Sequence, residues 1–536
     1  MKLNLLTKID AVARRRFLTL FMIGFLAFAG SWLLAKHRGV PVPQVHDEFS
    51  YLLAGDTFAH GRVTNPRHPM WGHFETFHEL MRPTYMSKFP PGQGLFLAVG
   101  QILFGQPIYG VWLSAGLMCM AVCWMLYGWF RPRWALIGGF ITVLQFGVFT
   151  YWSQSYWGGC VAAMGGALVF GALPRILNHL RTRDTLWLGL GMAVLANSRP
   201  LEGIIIGIPI GVLVLPWKIK WQTVDKQKLL IKVILPLSLV LLMTILGIGA
   251  YNKAVTGDSR TFPYVLYSRT YSSVPVLVWN KLGPPIQFSS RMLAGFDQRW
   301  LGGLYIKKRT ASGFFKIMTM DSIRLFLFFF GYPLAFPSLA VMVLMACRRK
   351  ISWRFILATF IVLGTCAALT YRAKAHYYAP LTCLVVFIVT YGLRCLSVSF
   401  PKGRLGAAVV ALLMTFQLIL NILVTPVAPA KMSLGRIVKP PQINQALLFT
   451  REELKDFLLR KKGQHLVFIY YPRLYFVNRE WVYNDADIDR SPIVWARNLG
   501  AEKNAELLRY FKGRHVWYVK VFWYLPLYSF VYDKRY

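Results

Sequence analysis

About eleven apolar runs of near-spanning length, joined by short basic connections, constrain this chain more than any other feature it has. They lie at roughly 17–35, 108–130, 134–151, 157–177, 185–198, 201–217, 229–250, 323–346, 353–371, 377–393 and 405–427. Only 15% of the 536 residues are charged and 55% are hydrophobic. A soluble fold carries nearer a quarter charged residues, so the composition excludes one and predicts a polytopic α-helical membrane protein. The net charge of +39 would suggest a nucleic-acid partner in a soluble chain. Here the excess sits largely in the short connections, as the positive-inside bias requires, and the remainder suits anionic membrane lipids.

The basic connections at Arg131-Pro-Arg133, 178–184, 217–230, 347–354 and 394–404 are assigned to the cytoplasm. The N-terminus is then inside and the C-terminus outside. Arg14, Arg15 and Arg16 before an apolar run, with AFAG at 27–30, resemble a signal peptide. The run continues through 31–35, which favours an uncleaved first span. The segment 185–198 is short for a span, so its end at NSRPLEG (197–203) is expected to face a cavity. All seven cysteines lie in or beside apolar runs and read as small core residues.

Three polar regions fall on the outer side: 36–107, 251–322 and 428–536. In the first, 94–105 is too short to cross and reads as an interfacial helix. The last reads as a separate soluble α/β domain after a membrane domain at 1–427. Thr450 to Glu453 forms a capping box opening a helix to about Lys462, strands are expected at 465–471, within 491–500 and at 514–521, and a helix at 501–511.

The 22 acidic residues are unevenly spread: Asp10 stands alone, five fall in 47–79, six between 80 and 450, and ten after 450. Asp47 and Glu48 are therefore a notable pair, placed at the start of a membrane-proximal loop where a general base or metal-ligand site belongs. The plainer reading makes them caps of an interfacial helix starting near Ser50. In PTYMSKFPPGQG (83–94), Lys88 precedes two prolines, and Gly-Gln-Gly would let backbone approach a ligand. A lysine held there suits a lipid phosphate, although it could equally snorkel to the head groups. Arg199 and Glu202 stand at an outer helix end, where Arg suits bidentate phosphate contact and an Arg–Glu pair could close the helix break. YRAKAHYYAP (371–380) gathers Arg372, Lys374, His376, Tyr377 and Tyr378, either to hold a phosphate or as an interfacial aromatic belt. The stretches 251–267 and 153–159 read as a groove lining and a cavity rim. His68, His73 and His78 recur every five residues, a spacing that fits no helix face or familiar metal site. No cofactor follows from the sequence, and a divalent metal is left open.

Together, an acidic pair after the first span, Lys-x-Pro-Pro closing the same loop, Arg-Pro-x-Glu at a helix end, His-Tyr-Tyr-x-Pro before a late span and an outer C-terminal domain resemble the bacterial GT-C superfamily of membrane glycosyltransferases. The protein O-mannosyltransferases and aminoarabinose transferases are the branches most similar. The closing motif is Lys-Phe-Pro-Pro here, where the aminoarabinose enzymes have Lys-Pro-Pro, and the C-terminal domain differs. The resemblance implies an inner-membrane enzyme that transfers a sugar from a polyprenyl phosphate to a glycan, lipid or protein acceptor on the periplasmic side, with inversion. Asp47 would be the base, Glu48 would orient the acceptor or sugar, Lys88 and Arg199 would stabilise the leaving phosphate, and His376 and Tyr377 would help hold it. Glu202, Arg372 and Lys374 would support them. A lipid flippase or transporter is the rival reading, and it would place ionisable residues near the middle of spans. A non-catalytic lipid-binding scaffold is a third.

Overall fold

The computed structural model describes residues 3–204, 225–334, 374–399, 403–424 and 448–533, apart from 276, 285, 289, 332, 473, 474, 476–479 and 522–528. The expected span at 353–371, nearly all of 201–217, the end of 323–346 and Arg372 lie outside the described residues. Within them, six helices are long and apolar enough to cross a membrane: Arg16–Arg38, Ile108–Trp129, Cys160–His179, Lys226–Thr256, Ala375–Val398 and Leu405–Leu423. Two further expected spans are short. The one at 185–198 is a helix of 15 residues, Thr182–Ala196, and the one at 134–151 is Pro132–Thr142 extended by a π-helical turn, Val143–Gly147.

The chain opens with α1 (Leu3–Arg14) and α2 (Arg16–Arg38). Lys36, His37 and Arg38 favour the negative end of the α2 dipole, and Gly39, at φ 96°, ends the helix. α3 (His46–Ala59) and α4 (Pro91–Phe104) then bracket a loop containing a two-stranded hairpin, β1 (Glu79–Leu80) with β2 (Met86–Ser87). Pro91 suits the first turn of α4, where no intrahelical donor is needed, and Gly105 in the left-handed region closes it. α5 (Ile108–Trp129), α6 (Pro132–Thr142), α7 (Cys160–His179) and α8 (Thr182–Ala196) follow.

Small residues set the closest helix crossings. A Cβ at Gly116 of α5 would stand 2.9 Å from the Gly24 carbonyl oxygen of α2. Lipid offers no hydrophobic gain to helix pairing, so close backbone approach of this kind is what holds such helices together. The main apolar core joins α2, α5, α6 and α7 to the helix after His376, around Phe146, Trp152, Phe170 and Tyr378. By contrast, Leu242, Met243, Ile245 and Leu246 of the Lys226–Thr256 helix are exposed, as a lipid-facing surface requires.

The C-terminal region forms a five-stranded mixed sheet in the order β3-β7-β6-β4-β5, with β3 Leu448–Phe449, β4 His465–Tyr470, β5 Ile493–Arg497, β6 His515–Val521 and β7 Ser529–Asp533. β4 pairs in parallel with β5 and β6, while β7 runs antiparallel to β6 and β3. The capping box at Thr450 and Glu453 is present. This unit does not stand apart as the sequence suggested. Leu53 of α3 and Phe74, Met81 and Tyr85 of the first loop share one core with Leu466, Phe468, Val494 and Leu507. Phe49 stacks on Tyr483 at 4.1 Å, and the Ala486 N–H donates to Asp56 at 2.8 Å.

Candidate active site

Asp47 and Glu48 occupy the first turn of α3, which begins four residues earlier than the sequence suggested. They do different work. Glu48 is 3% exposed, and its oxygens accept from the Gln44 N–H and the Tyr156 N–H, both at 3.1 Å. It therefore ties the start of α3 to the segment before α7. Burial pushes its carboxyl up to about 7, against the pull of those backbone donors. Asp47 keeps a partly exposed side chain, with Oδ1 at 3.9 Å from His78 Nε2. Burial alone would raise its pKa. The positive fields of Lys374, His46, Lys88 and His376 outweigh that cost and hold the carboxyl below its ordinary value.

Lys88 is 7% exposed and lies in an aromatic cage, with Nζ at 4.4 Å from the Tyr267 ring, 5.0 Å from Tyr264 and 5.2 Å from Phe89. Among the described residues no carboxylate lies within 4.0 Å of it. Burial lowers its pKa to about 7, reinforced by Arg199 and Lys374 and opposed by Asp47. Arg199 lies 3.7 Å from Glu202 and 4.9 Å from the Tyr377 ring, so the expected Arg–Glu pair forms and still leaves the guanidinium beside the site. The Lys374 ammonium is 4.1 Å from the Trp157 ring, and the His376 ring lies 4.8 Å from the same indole. The Tyr151 hydroxyl accepts from the His376 backbone N–H at 3.0 Å and is also hydrogen-bonded to His376 Nδ1 at 3.0 Å. Asp47, Lys88, Arg199, Lys374, His376 and Tyr377 thus meet at one end of the helix bundle.

One sequence reading changes. Gly92 and Gly94 approach protein rather than a ligand: a Cβ at Gly92 would be 2.7 Å from the Asn197 carbonyl oxygen, and one at Gly94 would be 2.7 Å from Ala54 Cβ. The three histidines of the first loop do not converge. His68 pairs with Asp489, His73 bonds the Arg497 and Lys503 carbonyls, and His78 turns toward Asp47. Among the described residues no group of three or more His, Cys, Asp or Glu side chains is arranged to hold a metal ion.

Several residues were given no role at this site by the sequence. His78 adopts φ 65°, and its backbone is pinned by Ser50, Lys88 and Tyr267. The His46 ring is buried 5.2 Å from that of His78, has no hydrogen-bond partner among the described residues, and has its pKa lowered by burial to about 4. In the sequence His46 stood out only by its place beside the acidic pair, and His78 as the last of three evenly spaced histidines. Tyr264 and Tyr267 fall within the stretch expected to line a groove.

No family model and no curated protein matches the chain. Similarity emerges with solved structures. The chain aligns with ArnT from Cupriavidus metallidurans in the apo state at 12% identity and a TM-score of 0.50, covering 92% of each chain. The same protein bound to undecaprenyl phosphate aligns at 12% identity and 0.49, over 97% of this chain and 93% of that one. The oligosaccharyltransferase of Archaeoglobus fulgidus in the apo form aligns at 12% identity and 0.44, over 84% of this chain but only 62% of the archaeal one. At 12% identity the likeness is one of fold: this chain shares the fold of ArnT.

Proposed function

We propose that the protein is a glycosyltransferase that takes a sugar from a polyprenyl phosphate and passes it to an acceptor at the extracytoplasmic face of the membrane, with inversion. The observation that carries this reading is a carboxylate, Asp47, kept ionised by Lys374, Lys88 and His376 at a site to which Arg199 is also brought. Each charge has a part in one displacement. The acceptor hydroxyl attacks the anomeric carbon and Asp47 takes its proton. The bond from that carbon to the phosphate oxygen breaks with its electron pair, and the phosphate gains negative charge as it leaves. Fixed cations at a site shielded from water stabilise that charge without having to reorganise. Lys88 and Arg199 are assigned to the leaving phosphate, with His376 beside Lys374 helping to hold it. Glu48, whose oxygens are both engaged by backbone, is a positioning residue.

The fold supports this reading because ArnT, which shares it, has also been solved with undecaprenyl phosphate bound. The direct test incubates the purified full chain with a panel of polyprenyl-phosphate sugars and scores release of free polyprenyl phosphate. Release from at least one donor, dependent on an acceptor, is expected. Movement of intact donor across a proteoliposome membrane with no release would instead establish the transporter reading.

A further inference from the structure

The end of the bundle opposite Asp47 carries a second group of cations, which the proposed transfer does not use. α2 starts at Arg16 and ends shortly before Asp47, while α7 starts beyond Tyr156, the partner of Glu48, and ends at His179. At 1.5 Å per residue the 23 residues of α2 set the two ends roughly 34 Å apart. At the far end a cavity of about 260 Å³ is lined by Arg16, Leu20, Trp124, Arg175, Arg183 and Trp187, with Asp184 as its carboxylate. An adjoining cavity of about 210 Å³ shares Arg16, Arg175 and Arg183 and adds His179 and Arg181.

The cavity is built, not a chance surplus of loop charge. The Arg175 guanidinium lies 4.0 Å from the Trp124 ring, and its Nη1 and Nη2 donate to the Gly171 and Trp124 carbonyls. Those bonds fix its plane, yet none of them cancels its charge. Asp184 is buried, and its one described ion pair, at 3.8 Å, is with Arg183. The facing wall is rigid as well, because the Tyr127 hydroxyl donates to the Ala13 carbonyl at 2.6 Å while Arg16 lies over the Tyr127 ring at 5.6 Å. The positive-inside bias accounts for exposed lysines and arginines in connections. It does not account for a half-buried guanidinium locked between α5 and α7 beside an apolar wall.

We propose that this cavity binds the phosphate of an anionic lipid head group, with the guanidinium groups on the phosphate oxygens and the upper acyl chain along Leu20, Trp124 and Trp187. Arginine suits phosphate through its planar fork, and the indoles suit the boundary between head group and hydrocarbon. Inorganic phosphate offers the same oxygens without the chains, so the experiment separates the two sources.

The full chain is placed in phosphatidylcholine nanodiscs doped with phosphatidylglycerol, and retained lipids are counted by native mass spectrometry. Wild type is expected to keep one phosphatidylglycerol, and Arg16→Gln/Arg183→Gln to keep at least about tenfold less, since each arginine at an anionic surface contributes appreciably. Both residues are exposed, so the fold should survive, and Arg16→Lys/Arg183→Lys provides a charge-preserving control with intermediate retention. In discs without anionic lipid, calorimetry with inorganic phosphate forms the second arm. Arginine-dependent phosphate binding there, without selective lipid retention, assigns the site to the soluble anion. Equal phosphatidylglycerol retention in wild type and the glutamine double variant, together with no arginine-dependent phosphate binding, overturns the proposal.

Discussion

Lys88 is the residue whose chemistry depends most visibly on its surroundings. With a pKa near 7, it holds its proton below neutrality and loses it as the pH rises through that value. A neutral amine cannot stabilise the departing phosphate, so kcat/KM of the free enzyme should fall on the alkaline side of about 7. Lys88→Arg keeps its charge at every accessible pH and should retain part of the activity while losing that alkaline limb. Lys88→Ala should weaken binding of sugar-free polyprenyl phosphate by about 1.5–3 kcal/mol, the value of one charge-assisted contact. An unchanged alkaline limb in Lys88→Arg would move the titration elsewhere. Glu48 has a pKa in the same region, which makes Glu48→Gln the necessary comparison. That change puts an amide NH₂ against the Gln44 or Tyr156 N–H. It should lower thermal stability by about 1–3 kcal/mol, through one lost buried bond, while leaving the alkaline limb in place.

At the level of elements, the site depends on how closely α3 and α4 lie together. Gly94 packs against Ala54 with no room for a methyl group, so Gly94→Ala should cost about 1–3 kcal/mol of stability by overpacking and shift Lys88 relative to Asp47. Thermal unfolding in detergent measures the first effect, and an increased KM for donor the second. Much at this scale was legible in the sequence. The helix at Pro91–Phe104 was announced by the short apolar run at 94–105, although it starts three residues earlier, and β4, β5 and β6 by short strand-like apolar runs. The start of α3 was misplaced because no Ser, Thr, Asp or Asn marks its N-cap, which is Val45. β7 was missed, and with it the antiparallel edge of the sheet.

Across the whole molecule, charge placement in the loops announced a membrane protein with its acidic pair near one end of the bundle. What sequence could not supply was convergence. Lys88, Arg199 and Lys374 are separated by more than a hundred residues at each step, and only packing places them near one carboxylate. The shared core between the first loop and the C-terminal sheet was hidden for the same reason. Orientation can be read by cysteine substitution at exposed positions. Lys281→Cys and Lys503→Cys should react with a membrane-impermeant maleimide in intact cells, and Arg131→Cys only after lysis. The reverse pattern would put the site on the other face. The central claim is tested most directly by single-turnover release of polyprenyl phosphate from a reactive donor by wild type and Asp47→Asn in the same proteoliposomes. Loss of a general base should slow release by about 10²-fold or more with the fold and donor binding intact, whereas equal rates would show that Asp47 is not the base.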